Sequence, residues 1–255
     1  MIAIAAVCVL APSSFAASSD LSALVDRAGE QVSSFLEVVS DVKCTERVQQ
    51  EKLGKDAKVE LKEESTYDYL VILTNTGGEL SLDESRLAVH PAKADKKNRP
   101  LLVTNGFATL FLVFHPYYAG SFRFTALDDE VSDGRTLKKV AFQHIHDTRS
   151  PAALSLRGRE YPLDLTGTAW IDPQSAVVTR IEAGIGNTME DVGMKTLRSE
   201  VSYAPVSFRD DKQVYWLPSE AMVEVETPRQ HWRNTHRFTD YKKFSVSTEE
   251  QVAKQ

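Results

Sequence analysis

The stretch VYWLPSEAMVEVETPRQHWRNTHRFTDYKKFSV, Val214–Val246, decides the fold class. In its first half Val223 and Val225 alternate with Glu224 and Glu226. In its second half Trp232, Asn234, His236 and Phe238 fall on one side, and Arg233, Thr235, Arg237 and Thr239 on the other. A period of two puts successive side chains on opposite faces of a pleated strand. The spacing predicts two strands, 214–226 and 231–246, in a sheet with one wet and one apolar face. Such a sheet has to cover its apolar face with another layer.

The same period recurs upstream, at 42–53, 59–74, 79–89, 121–127, 136–146, 159–165, 168–172, 177–183 and 194–203. Turn residues separate these runs, among them Gly54-Lys55-Asp56, Asn75–Gly78, Asp133-Gly134, Arg157-Gly158, Asp172–Ser175, Gly184–Gly186 and Asp210-Asp211. Short connections imply antiparallel neighbours, because parallel pairing needs a long crossover. The polar stretch 90–100, with Lys93, Lys96, Lys97 and Arg99 between two prolines, reads as a surface loop.

Two segments depart from this rhythm. Leu21, Leu24, Val25, Ala28, Val32, Phe35, Leu36 and Val39 recur at steps of three and four, which predicts an amphipathic helix over 20–42, capped by Asp20 or Ser19. Phe107, Leu110, Phe111 and Phe114 predict a second helix over 104–115, ended by Pro116, although Leu112 and Val113 make the run nearly continuous, as in a buried strand. Both helices are expected on the apolar face.

The start, MIAIAAVCVLAPSSFA, carries no charged side chain and ends in a small-x-small pattern at Ser14-Phe15-Ala16. It reads as a signal peptide over 1–16, leaving 17–255 as a single exported domain, periplasmic or secreted. The apolar run is shorter than the ~20 residues a membrane-spanning helix needs. Cys44 is the only cysteine beyond residue 16, so the exported chain has no intramolecular disulfide despite an oxidising destination. The net charge of −6 argues against nucleic acid, which needs a basic stripe, and against electrostatic attachment to anionic lipid.

The order of features resembles the LolA/LolB-like superfamily of periplasmic lipoprotein carriers, which also includes the sensor domain of RseB-type regulators. An exported start is followed by the helix at 20–42, long strands and the apolar segment at 104–115. Gly167–Pro173 (GTAWIDP) then leads into Val177–Ile181, and Tyr203–Val206, Tyr215–Ser219 and Phe238–Phe244 complete the pattern. The resemblance implies an incomplete, strongly curved antiparallel β-barrel with helices packed on its concave face, a mainly β (α+β) fold in which acyl chains bind between sheet and helices. No equivalent of the carriers' cargo-exchange residues is found, so what it implies is an apolar cavity rather than lipoprotein transfer.

Candidate sites were weighed on their chemistry. Phe111, Phe114, Trp170, Trp216, Trp232 and Phe238 are the expected lining of a lipid-sized pocket, since each buries a large apolar area. The same residues could equally fill an ordinary core. His144 and His146 share a strand face and could offer a metal two imidazoles, with His231 or His236 as a third ligand. Carboxylate neighbours such as Asp128-Asp129 and Glu224/Glu226 are not placed across a cleft by their spacing. No nucleophile elbow, phosphate loop or dinucleotide fingerprint occurs. The expected function is a non-enzymatic envelope carrier or sensor for a lipid, a lipidated protein or another apolar ligand, without cofactor. The alternatives are an envelope interaction domain with a closed core, and a metal-dependent hydrolase built on His144 and His146.

Overall fold

The structure, a computed structural model, describes residues 13–76, 79–89, 106, 109–132, 134–156, 159–187, 189, 193–209 and 211–244. The expected signal peptide up to residue 12, the basic loop at 90–100, and Phe107 lie outside the described residues.

Among the described residues, thirteen strands follow a long N-terminal helix in chain order. Helix α1 (Ser13–Leu36) leads to β1 (Val42–Leu53), β2 (Val59–Thr76) and β3 (Glu79–Ala88). After the covering segment come β4 (Phe122–Ala126), β5 (Glu130–Ser132), β6 (Arg135–His144), β7 (Ala153–Leu156) and β8 (Arg159–Pro162). The chain ends in a meander of β9 (Leu165–Ile171), β10 (Val178–Ile185), β11 (Thr196–Ser207), β12 (Val214–Glu226) and β13 (His231–Lys243). All pairings are antiparallel, as the short turns require. One sheet of eleven strands runs β3-β2-β1-β13-β12-β11-β10-β9-β6-β4, with β5 on β6, while β7 and β8 form a separate hairpin. Strand β13 closes onto β1, with Val48 opposite His236 and Gln50 opposite Asn234.

The sheet is open but strongly curled. Laid flat, nine steps of about 4.8 Å would separate β3 from β4 by roughly 43 Å. Instead a single turn of helix, α2 (Pro116–Ala119), bridges them: it runs directly into β4, and its Tyr118 hydroxyl donates to the Leu80 carbonyl of β3 at 2.9 Å. Gly167 in β9 permits tight packing at the bend. A Cβ there would meet the Glu182 carbonyl, the Phe142 ring and, at 2.9 Å, the Ala183 Cα.

The concave face is covered by α1 and by the segment 109–119. Leu24, Val25, Ala28, Val32 and Leu36 of α1 are buried, which is the stripe the sequence spacing marks. Gly29 lets the helix approach the Phe114 backbone, whose carbonyl lies 2.7 Å from where a Cβ would stand. Beneath lie Ala169, Ile171, Ile181, Val201 and Val223, each 0% exposed.

Four expectations need correction. Ser19 and Asp20 stand inside α1 rather than at its cap, because Ala16 and Ala17 sustain helix further upstream. The helix stops at Leu36, and Val39–Asp41 forms one 3₁₀ turn, with the β-branched pair Val38-Val39 at the break before β1. Within the apolar run at 104–115, Leu110–Phe114 forms a 3₁₀ turn rather than α-helix or strand, and Pro116 opens α2 rather than only ending a helix. The short strands β5 and β7 were not anticipated, being too short to show a period.

Candidate functional site

The site is built around two facing rings. Phe35, from the last turn of α1, meets Phe111 of the 3₁₀ turn edge-to-face at 5.4 Å, and Phe111 meets Tyr203 of β11 at 5.6 Å. On one side of this pair is a cleft of about 50 Å³ among Val32, Phe35, Phe111, Tyr203 and Trp216. On the other is a cleft of about 30 Å³ among Phe35, Cys44, Tyr69, Phe111 and Tyr241. On this measure about 10–15 Å³ suffices for one water, so each cleft has room for a few waters and the two stand apart in this conformation. The single roomy cavity that the resemblance implies is divided here, and Phe35 with Phe111, which line both clefts, is what divides it.

Beyond the second cleft the concave face becomes polar. Glu46 of β1, 0% exposed, receives both Nε and a terminal nitrogen of Arg86 of β3, at 2.6 and 3.0 Å. The same carboxylate accepts from His236 Nδ1 of β13 at 2.8 Å. Arg86 also donates to Glu84 at 2.8 Å, and the other Glu84 oxygen accepts from the Gly106 N–H at 2.9 Å, just before the covering segment. Burial opposes charge on Glu46, but the hydrogen bonds from His236 and Arg86 outweigh it and hold its pKa below the usual carboxylate value. Burial dominates at Glu84 and raises its pKa. Sequence reading missed this cluster. Its signal was present in the charged residues Glu46, Glu84 and Arg86, which read as solvated until the strands are paired.

The expected aromatic lining is only partly brought together. Phe111 borders both clefts and Trp216 borders the larger. Phe238 sits beside them, packed on Tyr69 at 5.2 Å. Phe114 is buried against Phe124 at 5.4 Å, away from both clefts. Trp170 faces the convex side, under the Arg180 guanidinium at 3.7 Å and the Lys139 ammonium at 5.4 Å, with its N–H donating to Glu130. The pleat explains this, because Ala169 and Ile171 on either side take the core positions. Trp232 lies half-exposed near the β12–β13 turn, its N–H donating to Gln230.

His144 and His146 do meet, but around a carboxylate. Each offers Nδ1 to one oxygen of Asp164, at 3.0 and 2.7 Å, and His144 Nε2 faces the Arg149 carbonyl at 3.0 Å. His231 pairs with Glu224 and His236 with Glu46, so neither joins them. Among the described residues no group of three His, Cys, Asp or Glu side chains is arranged to hold a metal ion. Burial pushes the Cys44 thiol up to about 12, which leaves no thiolate for nucleophilic chemistry. Among the described residues no helix is long and apolar enough to cross a membrane.

No protein-family model matches this chain, and no curated protein sequence does. Two solved structures are similar in overall form. One is a DUF1329 family protein from Desulfovibrio piger, with a TM-score of 0.45 and 10% identity, covering 91% of this chain and 95% of its own. The other, from Vibrio parahaemolyticus, is described as an outer membrane lipoprotein-sorting protein domain, with a TM-score of 0.43 and 13% identity, covering 89% and 94%.

Proposed function

We propose that this protein is a non-enzymatic cell-envelope carrier or sensor that binds a lipid, an acylated protein or another apolar ligand on the concave face of its half-barrel. The observation that carries this reading is Phe111, which with Phe35 forms the wall between two clefts on the concave face. Its segment is the least regular part of the cover. The 3₁₀ turn Leu110–Phe114 is five residues long, and such turns hold weaker hydrogen bonds than α-helix. Swinging Phe111 aside would merge the clefts into one channel under α1. Hydrocarbon entering it would contribute roughly 25 cal/mol for each Å² removed from water, against the cost of displacing the turn. The expected signal peptide puts this activity in the periplasm or outside the cell.

Organic-solvent extraction of the purified, exported protein, followed by mass spectrometry, tests the reading. An acyl compound near one per chain is the expected result, and an extract free of lipid would contradict it.

The small, divided clefts favour a second reading, an envelope interaction domain with a closed core. Edge strand β3 exposes Leu87, at 65%, to a partner. Under that reading a protein co-purifies and lipid does not.

A further inference from the structure

Tyr69 of β2 lines the smaller cleft and is 4% exposed, and among the described residues its hydroxyl has no hydrogen-bond partner. Buried hydroxyls without partners are costly and uncommon, so each one needs a physical explanation. The ring is not free to turn its oxygen elsewhere. The Arg86 guanidinium lies over it at 5.2 Å and Phe238 packs against it at 5.2 Å. The cleft's other polar groups are engaged: the Tyr241 hydroxyl donates to the Pro218 carbonyl at 2.6 Å, the Cys44 thiol bonds to Tyr241, and the Thr109 hydroxyl donates to the Gly106 carbonyl at 3.0 Å. The remaining wall is apolar, with Val39, Val71 and Phe111. A residue of the cleft wall therefore carries one buried, unsatisfied O–H close to the buried charges.

Those charges restrict what the hydroxyl can meet. Glu46 and Glu84 stand beside one guanidinium and the His236 imidazole, and Arg86 is already bonded to both carboxylates while His236 is bonded to Glu46. An anionic head group would bring a further negative charge to two carboxylates in a desolvated place. A neutral carbonyl would not.

We propose that the Tyr69 hydroxyl is a specificity-determining donor for a neutral acyl carbonyl, an ester or an amide, whose hydrocarbon chain occupies the cleft. This rests on the apolar-ligand reading above, and it predicts preference for an acyl ester over the free fatty acid.

The test uses the whole chain, wild type and Tyr69→Phe, titrated with monoolein, with oleate and with the uncharged dye N-phenylnaphthylamine. Wild type is expected to bind monoolein more tightly than oleate. Tyr69→Phe should weaken monoolein about five- to tenfold, the worth of one buried hydrogen bond, and leave dye binding unchanged. Its thermal midpoint should stay level or rise, because the unliganded protein loses no bond. Unchanged monoolein affinity in the variant, with the dye still binding, overturns the role of Tyr69 and leaves the apolar-ligand reading standing. A lowered midpoint also overturns it, by showing that the hydroxyl serves the fold. Wild-type protein that binds neither monoolein nor dye overturns both proposals.

Discussion

The two ends of the concave face are held by different physics. Under α1, strands β9–β12 supply Ile171, Ile181, Val201 and Val223, all 0% exposed and apolar. At the other end β1, β3 and β13 supply Glu46, Glu84, Arg86 and His236, joined by bonds of 2.6 to 3.0 Å. Apolar burial is non-directional, so the first end can tolerate a shifted neighbour at modest cost. A buried charge cluster is directional and fails when one member is lost. The difference assigns movement to the apolar end and strand register to the polar one. Phe111 stands between them.

The comparison breaks most visibly at Glu46. Glu46→Leu removes the buried acceptor that Arg86 and His236 share, and should cost about 3–5 kcal/mol in urea unfolding. A cost below about 1 kcal/mol would mean the cluster is not a buried network. Next comes Gly167→Val, which forces a side chain into the neighbouring strand's backbone. It should cost about 3 kcal/mol by the same measurement. Phe111→Leu tests the mobile end and should cost only about 1 kcal/mol. By joining the two clefts it should also tighten dye binding, and fluorescence titration checks this.

The two carboxylates of the polar end should carry opposite pH slopes. The pKa of Glu46 is lowered below 4.5, so its stabilisation is present above 4.5 and is lost as pH falls through its lower folded value. The pKa of Glu84 is raised above 4.5, so its contribution is present below 4.5 and is lost as pH rises through its higher folded value. Unfolding midpoints measured from acid to neutral pH should therefore fall less steeply toward acid in Glu46→Gln. In Glu84→Gln the decline on the alkaline side should be absent.

The smallest effect belongs to exposed His146. The hydrogen bond His146 donates to Asp164, then the charges of Asp147 and Asp164, raise its pKa above 6.5. Its contribution is complete below 6.5 and fades as pH rises through the raised value. An NMR titration should place its midpoint above 6.5, and Asp164→Asn should lower it.

Much of the fold is legible in the sequence because period and turns are local signals. The alternation at 223–226 and 232–239 returns as β12 and β13, and the stripe Leu24–Leu36 returns as the buried face of α1. The site is less legible because it depends on strand neighbours. Trp170 was expected in the pocket and stands on the convex face, since the pleat gives the core to Ala169 and Ile171. Glu46, Arg86 and Tyr69 carry no local mark of burial, and only the register of β1 with β2 and of β2 with β3 joins them. Phe111 was legible as an apolar residue but not as the wall between two clefts, which is a property of volume.

The most direct test of the central claim, that the concave face opens to take an apolar ligand, is a titration with N-phenylnaphthylamine of wild type and Val214→Trp. Val214 rims the larger cleft and is 51% exposed, so the new ring can plug the entrance without disturbing the core. The account predicts saturable binding to wild type near one dye per chain, weakened at least about tenfold in Val214→Trp with an unchanged thermal midpoint. No saturable binding, or equal binding by both proteins, would contradict it.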